Sequence, residues 1–173
     1  MQVRLRDIRL RGKETVDFCE TVDLSDVHPH VRQETSVHAK ARLRFAGGRY
    51  VLDGELTAEL ELVCAKCLTA FPLPLAVDWH EVFVPEDEWQ EQFADDADVH
   101  AIASDTIDLV PYVRETLLLA IPFVPVCRDD CQGLCPRCGV NRNVSTCACK
   151  IEQIDPRLQE LEKFFSKEND TSK

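Results

Sequence analysis

Eight of the chain's nine cysteines fall into four closely spaced pairs, Cys64/Cys67, Cys127/Cys131, Cys135/Cys138 and Cys147/Cys149. Two sulfurs three residues apart can grip one ion from a single tight turn. The run Cys135-Pro-Arg-Cys138-Gly139 has that form, with the glycine supplying the positive φ such a turn needs. Cys147 and Cys149 can close a tetrahedron from a second turn. The pairs Cys64/Cys67 and Cys127/Cys131 supply four more sulfurs, so the count suits two four-thiolate sites. The second of these needs two distant segments to meet. Cys19 stands apart and reads as a small buried apolar residue.

Two other roles for the pairs compete with metal. A disulfide framework belongs to exported chains. The N-terminal Met-Gln-Val-Arg-Leu-Arg-Asp is charged and has no apolar stretch, so no export leader is expected. Redox chemistry is the second, because Cys-x-x-Cys also marks thiol oxidoreductases. There the motif opens a helix, whereas Cys64-Ala-Lys-Cys67 is followed by Phe71-Pro-Leu-Pro-Leu, which starts none. Structural zinc is the reading that the spacing favours, with a thiol-redox or metal-responsive regulator built on Cys64 and Cys67 as the alternative.

At 173 residues the chain suits one domain with a small appendage. Its longest apolar run, Leu117 to Cys127, is broken by Pro122 and Pro125 and is too short to span a membrane. A cytoplasmic protein without membrane contact is expected. The formal net charge is −11, and two four-thiolate zinc sites would each add about −2. That balance argues against unselective phosphate binding. The charge is uneven, however. Arg4, Arg6, Arg9, Arg11 and Lys13 crowd the start. Residues 78–108 contain no lysine or arginine, and Arg128, Arg137, Arg142 and Lys150 lie among the later cysteines.

Alternation of apolar and polar residues predicts a β-rich half over residues 1–108. Val3, Leu5, Ile8 and Leu10 suggest an N-terminal strand. Val37, Ala39, Ala41, Leu43 and Phe45 alternate with His38, Lys40, Arg42 and Arg44. After the hairpin signal Gly47-Gly48, Leu52 to Leu62 alternate with Glu55, Thr57, Glu59 and Glu61. Cations on one strand would then face acids on the next, as sheet partners and not as RNA ligands. Phe71 to Trp79 form a third strand, with Pro72 and Pro74 at an edge. Residues 85–105 read as an acidic loop with a short helix near Glu88–Phe93.

The second part, 109–173, holds a helix capped by Asp108 with Val113, Leu117, Ala120 and Ile121 on one face, the zinc-binding segment 127–150, and a final helix opened by Asp155-Pro156. The expected fold class is α+β: a twisted antiparallel sheet or partial barrel, covered by a helix, with a C-terminal cysteine-rich segment.

No enzyme is read from these residues. A nucleophile needs a base and an orienting group. The five histidines fall in turns, on the wet face of a strand (His38) or in the acidic middle (His80, His100), where solvated roles suffice. No small-molecule substrate is implied.

The order of parts carries a family resemblance. Ile107-Asp-Leu-Val-Pro-Tyr-Val-Arg-Glu-Thr-Leu precedes the stretch from Pro125-Val-Cys127 through Cys131-x-Gly-Leu-Cys135-Pro-x-Cys138-Gly-x-Asn141-x-Asn143. Cys147-x-Cys149 and Asp155-Pro-Arg-Leu follow. This resembles the YceD family, the large ribosomal RNA subunit accumulation proteins of bacteria and plastids, in which Asn-Leu-Asn often stands where Arg142 separates two asparagines here. The resemblance implies a non-enzymatic ribosome-biogenesis factor that supports 23S rRNA accumulation or processing. Its partner would be pre-ribosomal RNA or a large-subunit ribosomal protein. If RNA is touched, the candidates are Arg137, Arg142, Lys150, Asn141 and Asn143 on the metal-held turn. The net charge also fits an acidic chaperone for a basic ribosomal protein.

Overall fold

The computed structural model describes residues 1–89 and 98–149. They form two compact units, the first running from Met1 to Cys131 and the second beginning at Gln132.

The first unit is α+β. Its elements are β1 (Gln2–Arg4), α1 (Leu5–Arg11), β2 (Lys13–Val22), β3 (Thr35–Ala46), β4 (Arg49–Val63), β5 (Ala70–Pro85), β6 (Val99–Ile102), β7 (Thr106–Asp108) and α2 (Val110–Ala120). Strands β2 to β6 form an open sheet in sequence order, and β1 pairs with β7 in a small separate ladder. Four strands of the large sheet are antiparallel, but β6 joins β5 in parallel. The sheet is therefore mixed, not purely antiparallel as expected.

The long hairpin β3–β4 turns at Gly47 and Gly48, with φ of 60° and 80°. Two successive left-handed residues make the turn whose twist suits a two-residue hairpin. On β4 the even positions Leu52, Leu56, Leu60 and Leu62 are buried, as are Val37, Ala39, Ala41 and Leu43 on β3. Leu5 and Ile8 of α1 and Val113 and Leu117 of α2 belong to the same buried cluster, together with Trp79 and Phe83. One face of the sheet thus meets the helices, and the alternate residues face solvent. Pro72 and Pro74 lie in the part of β5, residues 70–81, that pairs only with β4 among the described residues.

Several expectations need correction. Leu5 and Ile8 are not strand residues: three residues apart, they form the inner stripe of a short helix, and Leu10 is exposed. Residues 13–22 form a full strand. Cys19 on it is exposed, not buried, because it shares the outer face with Thr15 and Asp17. The acidic stretch contains β6 and a 3₁₀ turn at Glu86–Glu88, and most of the helix expected near Glu88–Phe93 lies outside the described residues. Helix α2 starts after Leu109, one residue later than expected, yet Asp108 Oδ1 still accepts the Val110 N–H at 3.2 Å. The final helix and Lys150 lie outside the described residues.

The cross-strand register places Lys40 opposite Asp17 and Glu55, and Arg42 opposite Thr15 and Asp53. On β3, Arg44 reaches Asp53 at 3.1 Å and His38 reaches Asp17 at 2.7 Å. Lys40 and Arg42 form no ion pair among the described residues. The expected ladder of Arg/Lys–acid pairs is only partly made.

Candidate metal centres

The first group of sulfurs is assembled by the hairpin β4–β5 and by the chain that follows α2. Cys64 follows the last residue of β4 directly. The turn closes with Leu68 N–H donating to the Cys64 carbonyl at 3.0 Å and Cys64 N–H donating to the Thr69 carbonyl at 3.0 Å. Leu68 adopts φ of 58°, the one positive φ outside glycine among the described residues. Ala65 N–H donates to the Pro125 carbonyl at 2.8 Å, which holds the segment carrying Cys127 and Cys131 beside the turn.

Cys64, Cys67 and Cys131 are buried and pack with Phe71 and Val126. The Cys64 and Cys131 sulfurs are 3.8 Å apart and those of Cys67 and Cys127 are 3.7 Å apart. All four lie within 4.8 Å of one another. A disulfide needs about 2.05 Å. Four sulfurs at about 2.3 Å from one tetrahedral ion stand about 3.8 Å apart. The spacing fits a shared ion.

The second group lies wholly in the second unit. Cys135 and Cys138 share a turn closed by Gly139 N–H donating to the Cys135 carbonyl at 2.8 Å, with Gly139 at φ 74°. A short return pairs Leu134 with Asn141. It brings the chain round to Cys147 and Cys149, and these four sulfurs also lie within 4.8 Å of one another. Cys135 is buried, Cys138 exposed, and Cys147 and Cys149 half-buried.

The electrostatics of the groups match. Burial opposes the Cys64 thiolate, but backbone N–H groups of Cys127, Cys67 and Lys66 point at its sulfur and bring its pKa down to about 6. Backbone N–H groups of Cys138 and Arg137 do the same for Cys135, also to about 6. Cys127 is pushed up to about 12 by burial and by the thiols around it. Cys149 is pushed up to about 12 by the adjacent Cys138 sulfur and by burial. Each group thus mixes thiols whose ionisation is favoured, Cys64 and Cys67 in one and Cys135 in the other, with thiols in which it is opposed, Cys127 in one and Cys147 and Cys149 in the other. A divalent cation at the centre supplies the charge that lets all four ionise.

The other residues singled out by the sequence fall differently. Arg137 and Arg142 are exposed. The asparagine amides are engaged in the fold of the turn. Asn141 Oδ1 accepts the Asn143 backbone N–H at 3.0 Å and its side-chain amide at 2.8 Å, and Asn143 Oδ1 accepts the Gln132 N–H at 2.8 Å.

One polar cluster escaped the sequence reading. Glu81 is 7% exposed on the inner face of β5. It meets His100 Nε2 at 2.6 Å and accepts the Trp79 indole N–H at 3.2 Å. The His100 ring lies 4.6 Å from that of Tyr112 on α2. Burial raises the Glu81 pKa, partly offset by the His100 contact. The signal was a carboxylate standing between Trp79 and Phe83 in an apolar alternation.

Fold and sites together define an α+β protein with two four-cysteine groups that could each hold a metal ion. The family model "Large ribosomal RNA subunit accumulation protein YceD" matches residues 52–165, and the chain belongs to that family. It is 29% identical to the uncharacterized protein YlbN of Bacillus subtilis over 92% of this chain and 93% of the relative. It is 35% identical to an uncharacterized Mycobacterium tuberculosis protein over 70% of this chain and 58% of the relative. It is 27% identical to the maize chloroplastic YCED homolog 1, a large ribosomal RNA subunit accumulation protein, over 86% of this chain and 59% of the relative. No solved structure matches the chain. No helix among the described residues is long and apolar enough to cross a membrane.

Proposed function

We propose that the chain supports accumulation of large-subunit ribosomal RNA as a non-enzymatic assembly factor, with zinc holding both four-cysteine groups. The observation that carries this reading is the family match over residues 52–165, a span that includes all eight paired cysteines. Zinc suits the donor set: four thiolates in tetrahedral array, without geometric demands from d electrons. The residues that would hold it are Cys64, Cys67, Cys127 and Cys131 in one centre and Cys135, Cys138, Cys147 and Cys149 in the other. In this role the metal supplies folding free energy and no reaction step. Sulfur separations of 3.7 and 3.8 Å support metal over a poised disulfide. The molecule acts with large-subunit precursors, through their RNA or through a ribosomal protein.

The test is complementation. A strain lacking the gene should contain less mature large-subunit rRNA relative to small-subunit rRNA. The wild-type chain should restore the ratio, and the double variant Cys67→Ser/Cys138→Ser should not. An unchanged ratio in the deletion strain would overturn the proposal. A net charge of −11 favours a second reading, an acidic chaperone for a basic ribosomal protein. Copurification of one such protein after nuclease treatment would select it.

A further inference from the structure

Strand β3 presents His38, Lys40, Arg42 and Arg44 at alternate positions on the solvent face of the sheet. Alternate residues of a strand repeat about every 6.8 Å, so the cations form a straight, evenly spaced row. Lys13 on β2 stands directly opposite Arg44 and extends the row sideways.

Acids border the row: Asp17 and Glu55 stand opposite Lys40, and Asp17 is engaged by His38 Nε2 at 2.7 Å. Asp53 is the acid opposite Arg42, but its carboxylate is already engaged by Arg44 Nη2 at 3.1 Å and by His80 Nδ1 at 2.8 Å. Lys13, Lys40 and Arg42 make no ion pair among the described residues. Thr15, Lys40, Arg42 and Arg44, with Gly54 and the acids Asp53 and Glu55, line a shallow groove of about 570 Å³. Outward positions of β2, β3 and β4 around it hold no phenylalanine, tyrosine or tryptophan.

We propose that this face binds the phosphate backbone of single-stranded RNA, with Lys40 and Arg42 as the main contacts and Lys13 and Arg44 at the flanks. A row with one cation per repeat complements a ligand with one charge per repeat. Arginine adds the planar fork that phosphate oxygens favour. With no phenylalanine, tyrosine or tryptophan platform and with contacts directed to phosphate, binding is expected to be independent of sequence. Residues 78–108, with no lysine or arginine, repel RNA from that part of the chain. The choice of RNA as ligand rests on the ribosomal RNA reading above. The surface differs from the metal-held turn bearing Arg137 and Arg142.

The experiment uses the full zinc-loaded chain and a labelled oligouridine, with binding measured by fluorescence anisotropy at several salt concentrations. Each lost phosphate contact on a single strand should reduce the slope of log K against log salt by about 0.7. Lys40→Gln/Arg42→Gln should therefore lower its magnitude by about 1.4. The charge-preserving Lys40→Arg/Arg42→Lys should keep it. Should the double glutamine variant misfold, Arg42→Gln alone should still remove about 0.7. A slope unchanged in the glutamine variants overturns the proposal. So does displacement of RNA by polyglutamate at equal charge, which would assign the face to an acidic peptide. The complementation test is separate: an unchanged slope leaves the proposed function standing, whereas a normal rRNA ratio in the deletion strain overturns that function whatever the slope.

Discussion

The two four-cysteine groups use the same turn in unlike settings. In one, Cys64 and Cys67 cap a hairpin whose strands run 15 and 16 residues into a shared apolar core. In the other, all four sulfurs lie within a short stretch, residues 135–149, and among the described residues of that unit only Leu134, Val140 and Val144 are large aliphatic residues. Val144 is 82% exposed. A hydrophobic core and a metal can each organise a chain. Among the described residues, the first unit has a core and one set of ligands, and the second has only the ligands. A metal held there would be a clip in the first case and the folding nucleus in the second.

Removing metal should break this comparison most strongly. Structural zinc contributes on the order of 10 kcal/mol to units that have no other core. Cys138→Ser should abolish amide protection across residues 132–149 and leave strands β2 to β5 protected in hydrogen exchange. Protection retained across 132–149 would show that the second unit folds without its ion. Cys67→Ser should instead lower the melting temperature of the sheet while its circular dichroism persists, because Leu52, Leu56, Leu60 and Trp79 pack without help from sulfur.

Metal analysis sharpens the same contrast. Purified under reducing conditions without chelator, the wild type should carry two zinc ions, and Cys67→Ser and Cys138→Ser one each. A single ion in the wild type, lost in only one variant, would remove one centre.

The turns themselves allow a finer test. Leu68 and Gly139 hold equivalent places after the second cysteine, with φ of 58° and 74°. A left-handed conformation costs a residue with a Cβ about 1–2 kcal/mol. Leu68→Gly should stabilise the first unit by about 1 kcal/mol, less some unfolded-chain entropy. Gly139→Ala should destabilise the second by a similar amount, since a Cβ there meets no atom and only the backbone angle resists it. Denaturant midpoints of the zinc-loaded variants would check both signs.

The smallest expected effect belongs to the first unit alone. Burial raises the pKa of Glu81 above its ordinary 4.5, so the folded state holds that proton more tightly than the unfolded one. Its contribution is complete below pH 4.5 and fades as pH rises through the folded value. Glu81→Gln should flatten the pH dependence of the sheet's urea midpoint above pH 4.5 without changing that of the second unit.

The legible parts of the fold were those governed by local pattern. The alternation on β3 and β4 and the Gly47-Gly48 turn announced the main hairpin, and Val113 and Leu117 announced α2. Strand β2 was hidden because Lys13, Glu14, Asp17 and Glu20 crowd around the few apolar residues Val16, Phe18 and Val22. Helix α1 was misread because Val3 and Leu5 mimic alternation over too short a span to distinguish periods. Strand β6 pairs in parallel with a distant partner, and no local signal marks that. The cysteine pairs were visible from spacing, since ligand geometry within one turn is local. The Glu81–His100 contact depends on strands that only the fold brings together. The same holds for the open row on β3, because whether a cation finds an acid is settled by side-chain geometry, which register alone does not fix.

Strand β5 leaves residues 70–81 with one neighbour among the described residues. An uncovered strand of that length is a template on which another chain's strand can grow, and sheets with such rims tend to join end to end into aggregates. Pro72 and Pro74 interrupt the row of N–H donors at alternate residues, and they do so where the strand is most open. Two missing donors on this stretch make it a poor template, so growth of a foreign strand along it is discouraged.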